Sequence, residues 1–154
     1  MELLAPFSDD SVVGQLTASW RETGNVRAES ASEPGAREVA FRVDALNRLS
    51  DPLYLRLRDF RLTAADGTSA SSAATIECAL APGATPAVLS GTLWTPSTER
   101  ATIRGFRLDH FALPLSQRGR AFYREFLLQQ GRQPAAIDAE LAVYAAAPGC
   151  HSAQ

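Results

Sequence analysis

The chain has 154 residues, 45% of them hydrophobic and 21% charged, the make-up of one globular domain that buries about 68–70% of its unfolded surface. A formal net charge of -2 at pH 7 supplies no field to steer a polyanion, which sets nucleic acid aside as a partner. No stretch approaches the roughly eighteen consecutive apolar residues of a membrane-spanning helix, so membrane insertion is not expected.

All fifteen basic residues are arginine, so every cationic contact can be planar and bidentate. Met1 to Phe7 lacks the basic and apolar regions of a signal peptide, which reads as a cytoplasmic or already mature chain. Residues 1–10 are expected to be flexible. Val12, Gly14, Leu16, Ala18 and Trp20 alternate with Val13, Gln15, Thr17 and Ser19 and predict a first strand with the Trp20 side buried. Gly24 and Asn25 break the pattern, and residues 26 to 37 read as a surface loop.

The most informative stretch runs from Glu38 to Leu57. Val39, Phe41, Val43 and Ala45 share one face, Leu53, Leu55 and Leu57 another, and the residues from Asn47 to Pro52 separate them. This predicts neighbouring antiparallel strands of a half-wet sheet. Alternation continues through Phe60 and Leu62 to a turn at Asp66-Gly67. The Ser/Ala-rich run from Thr68 to Ala74 is low in information and reads as solvent exposed. Strands follow at Thr75–Leu80 and Ala87–Thr95, joined by a turn at Pro82-Gly83. A further strand lies within Ala101–Leu113, with a slip of phase near Gly105 that predicts a bulge.

Ser116 to Gly131 predicts one helix, capped by Ser116 and ended by Gly131. Phe122, Tyr123, Phe126 and Leu127 recur along one face, with Arg120 and Arg124 on the other. Pro134 reads as a stop, and Ala135 to Tyr144, alternating Ile137, Ala139, Leu141 and Val143, reads as a closing strand. The tail 148–154 is expected to be loose. The whole predicts a single all-β domain, an antiparallel immunoglobulin-like β-sandwich of about seven or eight strands with one helix inserted before the last. The alternative is a closed antiparallel barrel.

The run Val39 to Asn47, then Asp51-Pro52-Leu53-Tyr54-Leu55, Asp59-Phe60-Arg61-Leu62, Ala65-Asp66-Gly67 and Pro82-Gly83, resembles immunoglobulin-like domains of bacterial secreted and membrane-anchored accessory proteins. The likeness spans roughly residues 38 to 95. It implies an accessory or adhesion role and carries over no catalytic residues. The chain departs from the pattern by its lack of a secretion signal and by the helix from Gln117 to Gln130.

Chemistry is sparse. His110 and His151 match no metal-ligand spacing, no cofactor motif is present, and Ser90-Gly91 does not sit on a strand-to-helix elbow. No catalytic residues are assigned, and a non-catalytic module is expected. Cys78 and Cys150 read as free thiols, with a disulfide pinning the tail to the sheet as the alternative in an oxidising compartment. Arginines interleave with apolar residues at exposed positions. Tyr54, Arg56, Trp94, Arg118, Arg120, Arg124 and Leu128 are therefore the candidate interface, for a protein partner or for a second copy in a homo-oligomer. The alternative is a small-ligand or carbohydrate-binding domain that stacks its ligand on Trp20, Trp94 or Tyr54 beside arginines.

Overall fold

The computed structural model describes residues 2–4, 12–28, 30, 35–65, 67, 69–72, 74–83, 85–95 and 103–150. Alternation of apolar residues produces most of its elements. In order they are strands β1 (Glu2–Leu4), β2 (Val12–Arg27), β3 (Ala36–Asn47), β4 (Leu53–Ala64), β5 (Ser69–Ser72), β6 (Ile76–Leu80), β7 (Ala87–Thr95) and β8 (Ile103–Pro114), then helices α1 (Gln117–Gln129) and α2 (Pro134–Ala145). The strands form two antiparallel sheets. One has the order β1-β2-β3-β7; in the other, β4 pairs with β5 and β6 in tandem and with β8. Two separate sheets make this a sandwich-like arrangement and not a closed barrel.

The inner faces meet in one core. Val39, Phe41, Val43, Leu89 and Leu93 from the first sheet pack against Leu53, Leu55, Leu57, Phe60 and Leu62 from the second. Phe41 stacks on Phe60 with ring centroids 4.6 Å apart and approaches Phe106 at 5.3 Å. Gly91 faces Phe41 in register, and a Cβ there would stand 2.6 Å from the Phe41 ring. The missing side chain is what admits the ring.

Several expectations need correction. The strands at Glu38–Leu57 are not neighbours: β3 pairs with β2 and β7, whereas β4 lies in the other sheet. Alternation reports which face is buried and says nothing of the pairing partner. Asn47 anchors the crossover, its side-chain amide donating to Asp51 O and Leu80 O, each at 2.9 Å, while its Oδ1 accepts from Leu49 N. The Ser/Ala run contains β5, with Ala70 buried. The N-terminal segment is not loose throughout, because Leu3 in β1 is fully buried; residues 5–10 lie outside the described residues. The Trp20 side of β2 does face inward, opposite Phe41, yet Trp20 keeps 38% of its surface exposed.

The largest correction is α2, where a closing strand was expected. Pro134 begins this helix at its first turn, a position where its absent N–H costs nothing. Alanine favours helix. The buried Ile137 and Tyr144 are seven residues apart, with partly buried Leu141 between them at helical spacing. The expected single helix inserted between strands is thus a pair of helices following the last strand.

The tail also differs from its expected looseness as far as Cys150. Cys78 and Cys150 are disulfide-bonded, with Cα atoms 4.8 Å apart, instead of free. Ala79 N donates to Pro148 O at 2.7 Å and Cys150 N donates to Ala79 O at 2.9 Å, so the tail extends along the free edge of β6. Residues 151–154 lie outside the described residues.

Candidate functional surfaces

The helical hairpin is built from local signals. Ser116 Oγ accepts a hydrogen bond from Gly119 N at 3.0 Å, capping α1. Gly119 lies against Pro114, where a Cβ would come within 2.5 Å of the Pro114 carbonyl oxygen; this closeness tucks the first turn under the end of β8. Gly131, at φ 83, ends the helix, with Gly131 N donating to Leu128 O and Arg132 N to Leu127 O.

The hairpin covers one end of the outer face of the second sheet, making a second core of Tyr54, Leu113, Tyr123, Leu127, Ile137 and Tyr144. Tyr54 and Tyr144 stack at 4.2 Å. Burial pushes the Tyr54 phenol up to about 12, with the Glu77 charge adding to it. Burial raises the Tyr123 phenol further, helped by its 2.6 Å hydrogen bond to Glu140 Oε2. Arg124 Nε donates to Asp138 Oδ1 at 2.9 Å, which ties α1 to α2 by charge as well, and Arg132 in the connection between them reaches Glu140 at 3.4 Å.

This arrangement disperses the residues expected to form one patch. Tyr54 is only 1% exposed and cannot serve as a stacking platform. Leu128 packs against the second core and lies on no exposed patch. Arg56 is half-buried with its guanidinium over Phe111, and its Nε has no hydrogen-bond partner among the described residues. Arg124 is engaged with Asp138, and Arg118 and Arg120 stay exposed on the first turn of α1. Trp94 lies on the outer face of the other sheet, across from Glu38 and under the Arg27 guanidinium, on the far side of the sandwich from the helices. The seven residues therefore divide between two surfaces and a buried core.

What the sequence reading missed is the exposure of Phe122 and Phe126. Of the four residues expected along one face of α1, Tyr123 and Leu127 turn inward, while Phe122 and Phe126 keep 46% and 40% of their surface open. The Arg118 guanidinium lies 5.5 Å from the centre of the Phe122 ring. The signal was present: Arg118, Phe122 and Phe126 are spaced four apart and form their own stripe, distinct from Tyr123 and Leu127.

Among the described residues, no group of three or more His, Cys, Asp and Glu side chains is placed to hold a metal ion, and both cysteine sulfurs are spent on each other. His110 lies on the inner face opposite Leu57, and His151 is outside the described residues. Among the described residues, no helix is long and apolar enough to cross a membrane. No protein-family model and no curated protein matches the chain. Among solved structures, the X-ray structure of Northeast Structural Genomics Consortium target SoR45 is similar at a TM-score of 0.42 and 12% identity, over 66% of this chain and 88% of that one.

Proposed function

We propose that the chain is a non-catalytic interaction module that associates with a second copy of itself through the outer stripe of α1. The exposure of Phe122 and Phe126 one turn apart, with Arg118 stacked on the first ring, carries this reading. Two half-exposed phenylalanines on one helix represent apolar surface that water penalises, and an aromatic pair beside an arginine is the composition of an interface centre. The basic first turn of α1, which holds Arg118 and Arg120 and no acidic residue, opposes the helix dipole and favours a contact that brings negative charge.

Two pairings support an immunoglobulin-like sandwich. β3 pairs with β7 and β4 with β8, as strands B with E and C with F do in that fold. The helical hairpin follows where the seventh strand would run. The Cys78–Cys150 bond supports residence in an oxidising compartment, in keeping with an accessory role outside the cytoplasm.

The test is size-exclusion chromatography with light scattering over a range of protein concentrations and salt. Wild type is expected to form a dimer or larger assembly, and Phe122→Ser with Phe126→Ser to weaken it by roughly 30-fold or more, as loss of an interface centre does. Wild type that stays monomeric throughout would sink self-association.

A further inference from the structure

The first sheet turns its other face to water on the side away from the helices. A depression of about 520 Å³ opens there, lined by Ser19, Arg21, Ala40, Arg42, Ser90 and Thr92 among others. The register explains it. One row across β2, β3 and β7 reads Ser19, Arg42, Ser90, and the next reads Arg21, Ala40, Thr92. Short side chains fill four of these six positions, and the arginines rise around them.

Three features separate this face from an ordinary solvated one. Strand stability favours β-branched or aromatic residues at exposed mid-strand positions, yet Ser19, Ala40 and Ser90 stand in long, regularly paired strands. Arg21 has no carboxylate partner among the described residues. It is a diagonal neighbour of Arg42, a spacing of about 7–8 Å that long side chains bridge. Arg42 is held by Asp44 through two hydrogen bonds, Nε to Oδ1 at 2.7 Å and an Nη to Oδ2 at 3.2 Å, which raises its pKa and leaves further N–H donors unspent. In the adjoining row, Thr23 and Asn25 both donate to the carboxylate of Glu38.

The geometry points to a binding site for a small polyol carrying one oxyanion, independent of the α1 surface. Arg21 and Arg42 would take the oxyanion through charge-assisted hydrogen bonds. The hydroxyls of Ser19, Ser90 and Thr92, which donate and accept equally, would take the hydroxyl groups. The volume is within the range of small-molecule sites. A carboxylate and a phosphate satisfy the arginines alike, so the test must separate them.

The experiment is a titration of the ¹⁵N-labelled full chain, followed by amide shifts, with glucuronate, glucose 6-phosphate, glucose and inorganic phosphate in parallel. One or both of the anionic sugars are expected to shift amides at residues 19–21, 40–42 and 90–92, and the tighter of the two identifies the oxyanion. Glucose and inorganic phosphate are expected to bind about tenfold more weakly, each lacking one set of contacts. Arg21→Gln should cost about tenfold in affinity for the loss of a charge-assisted bond. Ala40→Leu should weaken binding by filling the depression from its half-buried position, and Arg21→Gln at its exposed one should leave the urea midpoint unmoved. Inorganic phosphate binding as tightly as the sugars would reduce the site to a bare anion patch and overturn the proposal. Shifts elsewhere, or none with any probe, would overturn it as well.

Discussion

Asp59 sets the phase of half a sheet. It adopts φ 55, a left-handed conformation that Asp tolerates better than most residues, and with Phe60 it stands opposite the single residue Leu108. The bulge moves the buried set from Leu53, Leu55 and Leu57 to Phe60 and Leu62, keeping both halves of β4 against the same core. A second register shift stands at Gly105 and Ile103, where the slipping phase of the sequence predicted one. His110 sits on that inner face, where burial lowers its pKa and Asp109 partly opposes the shift. The sign follows from linkage. Below about pH 6.5 the unfolded chain takes up the proton before the folded one does, so stability falls as pH falls, and the loss levels off once the folded imidazole also protonates. Thermal melts between pH 7.5 and pH 5 are expected to show this slope in wild type and a flatter one in His110→Gln. Parallel slopes would mean that His110 does not carry it.

At the scale of elements, the C-terminal segment is held by covalent and hydrogen-bonded links to β6. The Cys78–Cys150 bond closes a loop of 72 residues, and chain entropy for a loop of that length puts its removal at roughly 4 kcal/mol. Cys150→Ser is expected to lose stability of that order in urea and to free the amides of Ala79 and Cys150 for exchange, since both donate across this junction. An unchanged urea midpoint would show that the hydrogen bonds alone hold the tail. The helices were unequally legible. α1 carries its cap and its C-terminal glycine in the sequence and forms where predicted, although its expected apolar face divides into a buried Tyr123–Leu127 pair and an exposed Phe122–Phe126 pair. α2 was misread because Ile137, Ala139, Leu141 and Val143 satisfy a period of two while Ile137, Leu141 and Tyr144 satisfy 3.6. Pro134 suits a helix start as well as a stop.

At the scale of the molecule, the β4-containing sheet is shared by two cores, one against the other sheet and one against the hairpin. Tyr54 belongs to the second, and Tyr54→Ala is expected to cost roughly 3–5 kcal/mol as a large-to-small change. Hydrogen exchange should show the loss concentrated in α1 and α2, with β3 and β7 retaining protection. Equal loss everywhere would mean that the two cores unfold as one unit. The candidate interface dispersed for a related reason. Tyr54, Trp94 and Leu128 fall on the polar phases of their elements, and phase cannot distinguish a face open to water from one covered by another layer.

The sequence by itself determined the alternation, the bulge near Gly105, the cap at Ser116 and the two-faced strands, because these rest on side-chain period and local backbone chemistry. Only the tertiary structure decided that β3 and β4 lie in different sheets, that Cys78 meets Cys150, and that Tyr54 is buried while Phe122 and the Ser19–Ala40–Ser90 face are open. Each of those depends on which distant element comes to rest against a face, and no local pattern encodes that choice.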